Sequence, residues 1–135
     1  MYKISKTVSF AYGHRLLDYK GKCENLHGHN GRVELTLAAA ALNAEKMVAD
    51  FTTVGAALKT WLDANFDHKV ILCSRDPLLK TLRDAGQACF ETKDNPTAEG
   101  MAELVFFEMK KLGFPVSKVR FWETDSSVAT YKEDK

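Results

Sequence analysis

Apolar and polar residues alternate with a period of two towards both ends of the chain, and no other feature constrains its fold as much. In residues 3–10, Ile4, Val8 and Phe10 fall on one side against Ser5, Thr7 and Ser9; in residues 32–37, Val33, Leu35 and Leu37 oppose Arg32, Glu34 and Thr36. Such a pattern buries one face of a β-strand and leaves the other in water. Residues 117–123 repeat it with Val119, Phe121 and Glu123 on one face, and residues 128–131 can return as an antiparallel partner across Asp125, Ser126 and Ser127. Between these strands the period changes. Asp50 can cap a helix that turns Phe51, Val54, Leu58, Trp61 and Leu62 inward and ends near Asn65. A second helix opens at Asn95, Pro96 and Thr97, turns Met101, Leu104, Val105, Met109 and Leu112 inward, and is ended by Lys110, Lys111, Gly113 and Pro115. Residues 69–92 read as shorter pieces: a strand over 70–72, a helical turn over 77–85 and a strand over 88–92. Strands at both ends with helices between them predict an α+β domain in which two helices cover one face of an antiparallel sheet. Parallel βαβ winding is disfavoured.

Length and charge then remove whole classes of function. With 135 residues, 45% of them hydrophobic, the chain can bury one core but not two, so residues 1–135 are expected to form one domain. The net charge is +1 with acids and bases interspersed, which leaves no basic stripe for a row of phosphates. Nucleic acid is not an expected partner. The longest apolar run, residues 37–42, is far shorter than the roughly 20 residues that span a bilayer, and no apolar leader opens the chain. The expectation is a cytoplasmic protein without a membrane partner. Cys23, Cys73 and Cys89 are odd in number and contain no CxxC pair, which argues against a disulfide framework. Cys73 and Cys89 sit among apolar neighbours and read as buried small hydrophobes.

The sharpest chemical signal is Cys23-Glu24-Asn25-Leu26-His27-Gly28-His29. Histidines at i and i+2 of an extended segment project to the same side and can share a metal, and Gly28 leaves room between them. His14 follows the first strand, and pairing of that strand with residues 32–37 could bring its end beside His29. Three imidazoles with a vacant fourth position suit a catalytic zinc, whereas a fourth protein ligand closes a structural one. Cys23 leaves both readings open: as a ligand it makes the site structural, and standing off it is a base or nucleophile. The plainer alternative is that His27 and His29 are surface imidazoles near a turn. Asp67 and His68 can form a carboxylate and imidazole for proton transfer, or simply a solvated helix end. Glu123 continues the apolar face of Val119 and Phe121, where a buried carboxylate must find donors such as those of an amino-pyrimidinone edge; at a strand end it could also sit in water. Glu99 can complement the dipole of the second helix.

His14 after a first strand, Cys23-x3-His27-Gly28-His29-Asn30, Met47-Val48-Ala49-Asp50-Phe51, Asp67-His68, Asn95-Pro96-Thr97-Ala98-Glu99 and Trp122-Glu123-Thr124, taken together and in this order, resemble the 6-pyruvoyltetrahydropterin synthase / 6-carboxytetrahydropterin synthase family. The resemblance implies the tunnelling fold, with protomers assembled into a barrel and a homohexamer of two stacked trimers. It implies zinc held by His14, His27 and His29, Cys23 as proton acceptor, Asp67 and His68 as relay partners, and Glu123 anchoring the pterin with help from Thr97 and Glu99. The implied substrate is 7,8-dihydroneopterin triphosphate. The short gap between Cys23 and His27 resembles the bacterial branch that forms 6-carboxy-5,6,7,8-tetrahydropterin for queuosine, releasing acetaldehyde and triphosphate. The alternatives are a 6-pyruvoyltetrahydropterin synthase, which eliminates triphosphate, and a non-catalytic zinc-stabilised assembly module with Cys23 as fourth ligand. A branch that cleaves the side chain to a hydroxymethylpterin resembles the chain less, since glutamate commonly replaces the cysteine there. Arg15, Lys20, Lys22 and Arg120 are candidates for holding the triphosphate. Three positions depart from the family pattern: Gly31 where an aromatic residue often follows, Ala11-Tyr12-Gly13 ahead of the first histidine, and Gly100 after the glutamate.

Overall fold

The computed structural model describes residues 1–134; Lys135, the last residue of the expected domain, lies outside them. Two long strands, β1 (Tyr2–His14) and β2 (His27–Ala39), pair antiparallel over their whole length, from Tyr2 opposite Ala39 to His14 opposite His27. They form the centre of a six-stranded sheet. Beyond β2 follow β5 (Val116–Thr124) and β6 (Ser127–Tyr131), both antiparallel to their neighbours. On the other side β1 pairs with β3 (Lys69–Cys73), and β3 with β4 (Cys89–Thr92), and both of these pairings are parallel. The order is β4-β3-β1-β2-β5-β6.

The sheet is therefore mixed, which corrects the antiparallel expectation. Parallel neighbours need a crossover connection, and helices supply it here. Helix α1 (Phe51–Asn65) carries the chain from β2 past β1 to β3, and α2 (Leu78–Asp84) joins β3 to β4. The third helix, α3 (Ala98–Lys111), leads from β4 to β5, so the described residues hold three α-helices where two were expected to cover the sheet, the added one being the helical turn expected over 77–85. A 3-10 turn at Lys22–Glu24 lies in the long β1–β2 connection.

Alternation along β2 buries Val33, Leu35 and Leu37 completely, each 0% exposed, against Val54, Leu58 and Leu62 of α1 and Met101, Val105 and Met109 of α3. Each such side chain contributes about 1.5–3 kcal/mol relative to leaving it in water. Asp50 caps α1 by accepting from the backbone N–H groups of Thr52 and Thr53. Two residues expected inside are outside: Phe51 is 53% and Leu112 59% exposed. Each occupies the end of a helix, beyond the rows that reach the sheet. Cys73 is buried as expected, whereas Cys89, next to the sheet edge, is half-exposed; all three cysteines are free thiols. No helix among the described residues is long and apolar enough to cross a membrane.

A candidate metal and active site at the end of the central strands

The strand register brings the histidines together. His14 pairs with His27, and Tyr12 pairs with His29, so the alternation that turns Phe10 and Tyr12 towards the helices does the same for His14. The three imidazoles meet edge to face, with ring centroids 4.7 to 5.2 Å apart, and one nitrogen of each lies within 4.8 Å of the others. Backbone carbonyls fix two of the rings. His14 Nδ1 lies 2.8 Å from the Pro96 carbonyl oxygen, and His27 Nδ1 lies 2.7 Å from that of Asn25. A carbonyl only accepts, so both Nδ1 atoms carry the proton and both Nε2 atoms present a lone pair. His14, 2% exposed, thereby buries an Nε2 with no hydrogen-bond partner, and His29 buries another.

Orphaned buried nitrogens are destabilising unless something takes their lone pairs. Three neutral imidazoles are the donor set of an open zinc site, so the residues fit that ion. Burial, and then the cationic forms of His14 and His27, hold the His29 pKa below its usual value, which favours the neutral, ligating form; Glu123 opposes this. Cys23 is not in the convergent group. It sits half-buried on the 3-10 turn, and its carbonyl accepts from the Leu16 N–H at 2.8 Å, which returns the turn to the end of β1.

Glu123 reaches the cluster from β5. Its Oε2 lies 3.3 Å from Nε2 of both His14 and His29, close contacts that leave both nitrogens without a hydrogen bond. The contact with His14, and then the charge the histidines can carry, holds its carboxyl below the usual range against the opposing effect of burial. Glu123 is thus neither fully buried nor free in water: its side chain is 27% exposed.

Asp67 and His68 form a separate pair. Asp67 Oδ2 lies 2.9 Å from His68 Nδ1, while Asp67 Oδ1 accepts from the Ala11 N–H and the His68 N–H donates to the Ala11 carbonyl. This clamp to β1 holds His68 at a φ of 58°, a left-handed conformation that costs about 1–3 kcal/mol for a residue with a Cβ. The Ala11 N–H, and then His68, keep the Asp67 carboxyl below its ordinary range. The imidazole of His68 is 81% exposed, and no hydrogen bond or ion pair joins it to the histidine cluster. Thr97 spends its hydroxyl capping α3, accepting from the Gly100 N–H, and Glu99 is exposed in the first turn of that helix.

Arg15 is not free to hold a triphosphate: its guanidinium takes the Asp76 carboxylate with Nε and Nη2 together. Arg120 lies 3.6 Å from Glu34 and over the Trp122 ring. Sequence reasoning also missed Tyr12. It is 4% exposed, packs on His14 and His29, and buries a hydroxyl without a partner. Its place in the series Phe10, Tyr12, His14 was the available signal. The departures at residues 12 and 31 meet in space, for the Tyr12 ring lies over Gly31, where a Cβ would stand 2.9 Å from Cε1.

A model of 6-pyruvoyl tetrahydropterin synthase matches residues 3–134. The chain belongs to that family. The 6-carboxy-5,6,7,8-tetrahydropterin synthase of Rickettsia typhi is 39% identical over 76% of this chain and 75% of its own. The protein of the same name from Rickettsia bellii is 36% identical over 92% of this chain and 95% of its own. The fold is shared with the Caenorhabditis elegans 6-pyruvoyl tetrahydropterin synthase, with a TM-score of 0.73 at 24% identity over 98% of this chain and 96% of that one. As a member of the family the chain has the tunnelling fold that its resemblance implied.

Proposed function

We propose that the chain, acting as one domain, is a zinc-dependent lyase that converts 7,8-dihydroneopterin triphosphate and water to 6-carboxy-5,6,7,8-tetrahydropterin, acetaldehyde and triphosphate. The observation that carries the reading is the convergence of three imidazoles with two buried, unpartnered Nε2 atoms. Relatives named for this product, at 36% and 39% identity, support it. His14, His27 and His29 would hold the zinc, which when bound supplies Lewis acidity toward oxygens of the substrate side chain.

The remaining work falls to side chains. Glu123 is ionised and half-buried, so it offers a charged acceptor to the N–H donors of an amino-pyrimidinone edge and orients the pterin. Thr97 and Glu99, at the start of α3, would help at the rim. Cys23 stands off the ligand group and would take the side-chain proton as thiolate. Asp67 holds its imidazole partner in one orientation, and His68 would return a proton to the ring from its exposed position. The assembly-module alternative needs Cys23 as fourth ligand, and the convergent group is made of histidines alone. Strands β4 and β6 leave both sheet edges unpaired in one protomer, which favours assembly into the hexamer of the family. The reaction would take place in the cytoplasm, on the queuosine route.

Incubation of the zinc-loaded protein with dihydroneopterin triphosphate, followed by mass identification of the pterin, tests the reading. The 6-carboxy product is expected. A 6-pyruvoyl product would replace the proposed reaction by triphosphate elimination, and a zinc-loaded protein that turns over nothing would leave the assembly module.

A further inference from the structure

The segment that opens α3 also reaches back to the end of β1. The Thr97 N–H bonds the Asn95 carbonyl at 2.9 Å, and the first helical bond runs from the Met101 N–H to the Thr97 carbonyl. Pro96 lies between, buried, with its carbonyl outside the helical ladder. That carbonyl is the one that meets His14 Nδ1. Three residues beyond His14 the same two segments are joined again. The Asn95 side chain accepts from the Leu17 N–H through Oδ1 at 2.8 Å and donates to the Leu17 carbonyl through Nδ2 at 2.9 Å. One amide thus pairs with both polar groups of a backbone residue 78 positions away. Two tethers to one turn, His14 to Pro96 and Leu17 to Asn95, fix the separation of the segments at both ends.

We infer that Asn95 is a positioning residue for the metal: by holding Leu17 with both ends of its amide it keeps the Pro96 carbonyl on His14 Nδ1, so that the ring presents Nε2 as the ligand. The inference rests on the zinc reading above. His14 needs such support more than its neighbours do. It is the most buried of the three rings, and its only polar partner on Nδ1 comes from an element remote in sequence, whereas His27 is held by Asn25 two residues away. Partners behind a metal-bound imidazole set its tautomer and orientation, and their loss typically weakens metal binding about 10- to 100-fold. The amide offers Leu17 a donor and an acceptor from one planar group, which the methyl of alanine cannot.

The experiment compares zinc affinity, by chelator competition on the full chain, for wild type, Asn95→Ala and Asp50→Ala, and reads His14 by long-range 15N NMR of histidine-labelled protein. Asp50→Ala also removes a side chain that bonds backbone groups, here the cap of α1, and is expected to keep wild-type affinity. Asn95→Ala is expected to bind zinc about 10- to 100-fold more weakly and to lose the uniform Nδ1–H signature of His14 in the metal-free state. Affinity within about twofold of wild type, or equal losses in both variants, would overturn the role of Asn95. The wild-type spectrum tests the inference even if Asn95→Ala does not fold: a proton on His14 Nε2 in the metal-free chain, or zinc bound through Nδ1, overturns it. A wild type that binds no zinc but keeps the Nδ1–H signature would sink the zinc reading instead.

Discussion

The two central strands serve different ends along their length. Where β2 carries Val33, Leu35 and Leu37 the side chains are fully buried and wholly apolar, so nothing there is left unsatisfied. At the other end of the same ladder His14, His27 and His29 share the face, and two of their nitrogens are buried without partners. One half of the ribbon gains free energy from excluding water; the other half spends some of it to hold lone pairs ready. The pattern is one alternation throughout, and only the residue type changes at the end of the sheet.

If this division is real, substitutions in the two halves should move different observables. Leu35→Ala should lower unfolding free energy by about 2–5 kcal/mol, while the folded fraction keeps its zinc affinity. Conversely, His27→Ala should abolish stoichiometric zinc with little loss of metal-free stability. Chemical denaturation and metal analysis on the same samples would decide, and a His27→Ala protein that keeps full zinc occupancy would break the comparison.

Cys23→Ala sharpens it within the functional end. A proton acceptor that is not a ligand should leave zinc and pterin affinity in place and lower single-turnover rates by a factor on the order of 10² or more. Loss of zinc from this variant would make Cys23 a ligand after all.

The smallest effect is expected beside the histidines, at the pair Arg15 and Asp76, which is polar but satisfied. The Arg15 guanidinium, and then the Leu78 N–H, hold the Asp76 carboxyl below its ordinary range against the cost of burial. A depressed folded-state pKa means that its stabilisation is fully present above the unfolded value of about 3.9 and is lost as pH falls below it. Asp76→Asn should therefore cost about 1.5–3 kcal/mol at neutral pH, with the gap to wild type closing below about pH 4. Thermal melts across pH 3–7 provide the check, and a gap independent of pH would mean that the carboxylate charge is not what matters.

What could be read in advance was local. The alternation of Val33, Leu35 and Leu37, the Asp50 cap and the His27–Gly28–His29 spacing depend on neighbours a few residues away, and the structure keeps all of them. The parallel placement of β3 and β4 was not legible, because strand direction follows from where α1 and α2 return the chain. Nor was the pairing of Arg15 with Asp76, separated by 61 residues. The groups that orient His14 and His27 are carbonyl oxygens, which every residue possesses and no sequence pattern marks. Phe51 was misplaced because periodicity assigns an azimuth on a helix and says nothing about how far along its axis the sheet extends.

The fit of Tyr12 over Gly31 has a consequence for descent. A side chain at 31 collides with the ring already there, since even a Cβ would come within 3.1 Å of the Phe10 ring as well; removing the ring first leaves a hole beside the histidines. Neither single step is neutral, so the two positions should be inherited as one character. Among relatives, bulk at 31 should accompany a small residue at 12, and chains that carry bulk at both, or at neither, should be rare.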